Sequence, residues 1–451
     1  MAITAADRRV LAGAALALTA GLAALGSCTP AAPPADPPAP EPAPRPAERP
    51  TEAPAGPPAD RPTEPGAESG GPQLRIGLAV GVPSATLGGG ADLVVTDPGG
   101  GRLATIPAGE QWRVVASGTG VSVQPSGRTG STPAEMIAVT TTDPSATVKV
   151  NGRTYRGIVE VVRDTGGVTL VNRLPLETYL LGVVSAEMGR RNLAEFEALR
   201  AQAVVSRTYA LRNLLRRAAL GFDLHASVAD QVYSGSGSET AEGLDAVHST
   251  RGMVLTYAGA PIDAFYYSTC GGRTADGVEV FRAASRPYLR SFADVDEQGT
   301  AYCSISPRYR WREEWTGDAL RATLRRTLPV TAGVPGDRVR EVRDVWVVQR
   351  TASGRVGRLA ITLGANQVMV DGPAVRQVLR PASGDLLRSA AFTLTATGGG
   401  GGISRLVAEG SGAGHGVGLC QWGAVARSRA GQDFERILAA YYPGAALQRL
   451  Y

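Results

Sequence analysis

The sequence predicts an α+β protein in which mixed, β-rich regions surround one helical segment. Three patterns predict it. Short runs of β-branched and other apolar residues, separated by Gly-rich turns, fill residues 73–175. Amphipathic helical spacing takes over in residues 176–220, and strand-like runs return through residues 221–451. With 451 residues, 43% of them hydrophobic, the chain can bury a sizeable core.

At the N-terminus, Arg8-Arg9 precede an apolar run from Val10 that ends in Leu25-Gly-Ser-Cys28. A basic start, a short apolar core and small residues describe a secretory signal over residues 1–28 rather than a membrane-spanning helix. Leu-Gly-Ser-Cys resembles the lipobox of bacterial lipoproteins, which implies cleavage before Cys28 and lipidation of its thiol; an ordinary signal peptide with an incidental Cys is the alternative. Residues 29–72 are mostly Pro, Ala, Glu and Arg, a composition that forms no packed core and suits a stiff, extended linker. Strand-like character begins at Leu74-Arg-Ile-Gly-Leu-Ala-Val and continues through Trp112-Arg-Val-Val, Met136-Ile-Ala-Val and Val168-Thr-Leu-Val.

The first helix reads Leu176-Glu-Thr-Tyr-Leu-Leu-Gly-Val-Val-Ser-Ala-Glu-Met188. Leu180, Val183 and Val184 define its buried stripe, and the same stripe reaches Glu187 one turn later. Partial desolvation and the helix C-terminal dipole both raise the pKa of such an acid, as a general acid requires. The alternative is a surface Glu fraying out of the last turn. Asn192 is placed to cap a second helix from Leu193 to Ala219, whose apolar face contains Arg207. An Arg there wants a carboxylate partner, unless it snorkels to solvent.

After Cys28, the chain contains Cys270, Cys303 and Cys420. Cys270 and Cys303 fall in one turn-rich region and are the favoured disulfide, which leaves Cys420 free. A metal site is not expected: no two cysteines have CxxC spacing, and His225, His248 and His415 are the only histidines. The net charge of +5 suggests no nucleic-acid partner, because Lys149 is the only lysine and no contiguous basic tract occurs. Five glycines from Gly398 to Gly402 lack the Lys-Ser/Thr of a phosphate cradle.

Two further groupings are Tyr266-Tyr-Ser-Thr-Cys-Gly-Gly272 and Gly414-His-Gly-Val-Gly-Leu-Cys-Gln-Trp-Gly423. In order with the Leu176 segment, Glu197-Ala-Leu-Arg-Ala-Gln-Ala-Val-Val-Ser-Arg-Thr-Tyr and Ile437-Leu-Ala-Ala-Tyr-Tyr-Pro-Gly, they resemble the SpoIID/LytB family of bacterial cell-wall proteins. The resemblance runs from Leu74 to Tyr451. It implies one catalytic domain over residues 73–451 with a long glycan-binding cleft, and a lytic transglycosylase acting on peptidoglycan strands stripped of stem peptides. It puts the catalytic acid at Glu187 and substrate contacts at Arg207, Ser268, His415 and Gln421, with no cofactor. Gly189 replaces the family's usual Pro, and Cys270 and Cys420 stand where Ser is common. The implied partners are glycan strands, a membrane through the lipid anchor and a cell-wall amidase, in the cell envelope. The LytB side of the family implies the alternative, a non-catalytic glycan binder that stimulates an amidase. A Ser268–His415 nucleophilic pair is a third possibility, though no orienting Asp is evident.

Overall fold

The computed structural model describes residues 71–128, 130–281 and 285–451. The signal segment, Cys28 and most of the linker lie outside the described residues. Its helices are α1 (Leu176–Met188), α2 (Phe196–Arg212), α3 (Ala241–Ser249), α4 (Gly277–Phe281), α5 (Gly317–Ala332), α6 (Ala374–Val378), α7 (Gln421–Arg429) and α8 (Phe434–Tyr441). Helices and several separate sheets together make the chain α+β.

The β-rich first region forms two sheets. One has seven strands, with Gln73–Val82 paired antiparallel to Gly167–Pro175 and parallel to the short Leu224–His225 strand. The other has five, with Ser84–Gly89 at its centre. Alternate residues such as Leu74, Ile76, Val159 and Val161 are fully buried, as the period-2 pattern requires, and they share a core with α1, α2, α7 and α8.

The second helix is shorter than its apolar spacing suggests. Leu193–Glu195 forms a 3-10 turn, with the Asn192 N–H donating to the Glu195 carboxylate, and α2 ends at Arg212. The reason lies outside the helix. Leu215 adopts φ 61° and donates its N–H to Asp223 Oδ1, so the ladder cannot continue to Ala219.

Residues 310–411 depart most from the sequence expectation. They form two three-stranded sheets with α5 and α6 around a separate core that includes Trp315, Leu320, Leu324, Leu359 and Leu406. This inserted layer separates the Tyr266 motif from the Gly414 motif in sequence. A two-stranded parallel pairing rejoins them, with Tyr266 opposite Leu419 and Tyr267 opposite Cys420.

Candidate active site

The parallel pairing gives the site its geometry. It aligns the ends of two short strands, so that Ser268 and Gln421 leave them side by side and the Trp422 N–H donates to the Ser268 carbonyl at 3.0 Å. The C-terminal end of α1 brings Glu187 to the same place. Glu187, Ser268, His415, Gln421 and Trp422 line one cavity of about 1290 Å³, and Arg376 and Arg388 of the insert also line it.

Glu187 Oε1 accepts from the Val232 N–H at 2.7 Å and from the Tyr266 hydroxyl at 2.9 Å, and Oε2 accepts from Gln421 Nε2 at 3.4 Å. Burial pushes the carboxyl above its ordinary range, and these three neutral donors only partly offset the push. The other acids of the cavity are held differently. Asp230 is paired with Arg217 at 2.8 Å, Asp263 lies between Arg212 at 3.0 Å and Arg286 at 2.9 Å, and Glu313 faces Arg388 at 3.8 Å. Burial raises Asp263 too, but its two arginines outweigh that and hold it below the usual carboxylate range. Asp385 accepts from Ser383 Oγ and has no arginine partner among the described residues.

His415 lies in the cavity wall with both ring nitrogens engaged. Its Nε2 is 2.9 Å from the Tyr266 carbonyl and its Nδ1 accepts from the Val417 N–H at 3.1 Å. Those bonds describe a neutral ring protonated on Nε2. Burial agrees, lowering its pKa to about 4. Ser268 Oγ bonds Thr269 Oγ1 instead, so the geometry contains no Ser268–His415 relay.

Arg207 is the correction to the expected substrate contacts. It is fully buried on α2, away from the cavity, where Nε and Nη2 grip both oxygens of Glu177 at 2.7 and 2.8 Å. Its remaining donors reach the Met253 and Val247 carbonyls. The carboxylate that its apolar surroundings demanded comes from the first turn of α1.

Gly189 caps α1 at φ 66° with its N–H bonded to the Ser185 carbonyl, and neither feature is open to the Pro that it replaces. The cysteines also depart from expectation. Cys270 and Cys303 are adjacent, with Sγ atoms 3.3 Å apart, but both are free thiols, and Cys420 joins them rather than standing alone. Close CxxC spacing is therefore not what gathers cysteines in this fold.

Tyr266, Gln231 and Val232 are the site residues that sequence reasoning missed. The Gln231 side chain bridges the Tyr179 and Tyr266 hydroxyls and so orients the Tyr266 donor. The only local signal was the place of Tyr266 at the head of the Tyr-Tyr-Ser-Thr-Cys-Gly-Gly motif.

Comparison with known proteins finds matches to parts of this sequence. The family model described as SpoIID, Stage II sporulation protein, matches residues 164–257, and a domain of unknown function, DUF8618, matches residues 301–418, close to the bounds of the insert. An uncharacterized protein of Brachyspira hyodysenteriae is 30% identical over 65% of this chain and 72% of its own length. Stage II sporulation protein D of Bacillus amyloliquefaciens is 30% identical over 61% of this chain and 74% of its own. The protein named Amidase enhancer of Bacillus subtilis is 27% identical over 59% of this chain and 40% of its own. The chain belongs to the SpoIID family of Stage II sporulation proteins.

Proposed function

We propose that the protein is a peptidoglycan lytic transglycosylase, cleaving the bond between N-acetylmuramic acid and N-acetylglucosamine, with Glu187 as its single acid and base. The Glu187 carboxyl carries this reading: burial raises its pKa, its partners are neutral, and it lines the large cavity. Protonated Glu187 donates to the leaving oxygen as the glycosidic bond to the muramyl C1 breaks. The carboxylate then takes the proton of the muramyl C6 hydroxyl, whose oxygen bonds to C1 and closes the anhydro ring. No water is consumed, and one acid serves twice. The Val232 N–H and the Tyr266 hydroxyl, already aimed at Oε1, steady the carboxylate when it forms.

A two-carboxylate hydrolase needs a second ionised acid across the scissile bond. The commitment of Asp230 and Asp263 to arginines supports ring closure instead, and Asp385, bonded to Ser383, is the cavity acid that a hydrolase reading would have to use. Ser268 and Gln421 offer hydrogen bonds to sugar hydroxyls and acetamido groups. Trp422, with the Arg191 guanidinium 4.7 Å from its ring centroid, offers an apolar face. In this reading the substrate is a peptide-stripped glycan strand, and the chain is held in the cell envelope by lipid on Cys28.

The relative named Amidase enhancer favours a second reading, in which the chain binds glycan and stimulates a cell-wall amidase without cutting. Mass spectrometry of peptide-free glycan incubated with the purified protein separates the two. Anhydromuramyl ends support the transglycosylase; intact strands together with a faster amidase in a mixed assay select the second reading.

A further inference from the structure

The chemistry of Glu187 makes no use of a concentrated group of reactive side chains that lies outside the cavity. Cys270, Cys303 and Cys420 are buried, with exposures of 2%, 0% and 0%, and their Sγ atoms all lie within 4.8 Å of one another. They come from three distant segments: the turn after the Tyr266–Tyr267 strand, the 3-10 turn Tyr302–Ile305 that leads into the insert, and the N-cap of α7.

Backbone donors surround the sulfurs. The Cys270 N–H points at Cys420 Sγ at 3.1 Å, the Gly272 N–H at Cys270 Sγ at 3.3 Å and the Gly423 N–H at Cys420 Sγ at 3.3 Å. Positive φ values of 77° at Gly271 and 107° at Gly272 curl the chain back so that its amides face the cluster. N–H donors favour the thiolate, the form that binds metal. Arg355 adds a buried positive charge. It reaches from the insert to the Cys270 and Arg273 carbonyls, and its buried Nε has no partner among the described residues.

We propose that Cys270, Cys303 and Cys420 form a three-thiolate structural site for a thiophilic d10 metal ion of the Zn2+ or Cu+ class. Metal–sulfur bonds near 2.3 Å place tetrahedral ligand sulfurs about 3.8 Å apart, so small side-chain adjustments close the triangle around an ion. Three soft donors select this class over Mg2+, Ca2+ or Mn2+. Asp294 is the nearest acid, with Oδ2 3.4 Å from Cys270 Sγ, but it is occupied by the Tyr441 hydroxyl and by Arg427, which leaves a sulfur-only donor set. Binding displaces the thiol protons to solvent and forms three metal–sulfur bonds with no change of oxidation state. The ion clamps the root of the insert to the strand end that carries Ser268 and to the helix start that carries Gln421. The site is independent of the reaction proposed for Glu187.

The test uses the full chain with Cys28→Ser, so that only these three cysteines remain, purified anaerobically with a phosphine reductant. Metal content is measured by mass spectrometry after Zn2+ or Cu+ loading, and Cd2+ is titrated while its ultraviolet thiolate charge-transfer band is followed. One ion per chain and a band that saturates at one equivalent are expected, with both lost in Cys270→Ser, Cys303→Ser and Cys420→Ser variants that keep the parent circular dichroism. The measurement on the parent chain is decisive even if a variant fails to fold. Three titratable thiols that take up neither Cd2+ nor Zn2+ nor Cu+ would overturn the site. So would a disulfide between any two of them in protein secreted by its native route, the outcome that a redox pair would give.

Discussion

Glu177 and Glu187 lie on the same helix, at its two ends, and burial pushes both carboxyls upward. At Glu177 the bidentate Arg207 pair, the Tyr451 hydroxyl and the Gly252 N–H outweigh burial and hold the group below its ordinary value. At Glu187 the donors are a backbone amide, a phenol and a carboxamide, and burial wins. A buried carboxylate with a matched cation is architecture, and one with neutral donors beside a cavity is poised to hold a proton. The difference also explains why Arg207, an attractive site residue in the sequence, belongs to the frame.

The comparison breaks most visibly at Arg207. Arg207→Met leaves Glu177 buried without its cation and should destabilise the fold by about 3–5 kcal/mol in chemical denaturation. Adding Glu177→Leu should restore much of that loss. A double variant as unstable as the single would mean that Arg207 acts through its carbonyl contacts rather than through Glu177.

A smaller effect is expected at Tyr266. Tyr266→Phe removes a donor to the ionised form of Glu187, worth about 1.5–3 kcal/mol for a bond to a charged group. The Glu187 pKa should rise further, so the alkaline limb of the cleavage profile should move to higher pH. A profile that keeps its position with only a lower plateau would separate Tyr266 from the Glu187 proton.

The comparison can also be sharpened through the pH dependence of stability. Glu177, lowered from 4.5, contributes stability that is full above that value and lost as pH falls through its depressed pKa. Glu187, raised from 4.5, does the reverse: stability declines as pH climbs from that value through its elevated pKa. Glu177→Gln should therefore lower the thermal midpoint at neutral pH and converge with the parent in acid. Parallel curves at all pH values would contradict the assignment.

Local pattern made part of this legible. The stripe through Leu180, Val183 and Val184 led directly to Glu187, and the period-2 strands of residues 73–175 fold as sheets. Arg207 was readable as a charge in need of a partner, but its spacing did not say whether that partner was Glu177 or a ligand. Contacts between distant segments were not readable at all. Tyr266 and Val232 meet Glu187 only after the chain turns back, and Cys420 reaches Cys270 through a two-residue parallel pairing across the insert. The separate core of residues 310–411 left no break in composition to announce it, since its strands and Arg-rich helices resemble those around them.

Glu187→Gln, assayed for cleavage and thermal midpoint in the same buffer at neutral pH, tests the central claim most directly. The substitution keeps the volume and an acceptor for Val232 and Tyr266 but removes both the transferable proton and the cost of a buried negative charge. Cleavage of peptide-free glycan should fall about 10²-fold or more while the midpoint holds or rises. Near-parental cleavage, or a fall in midpoint large enough to account for the lost activity, would contradict the role of Glu187 as the buried acid of this site.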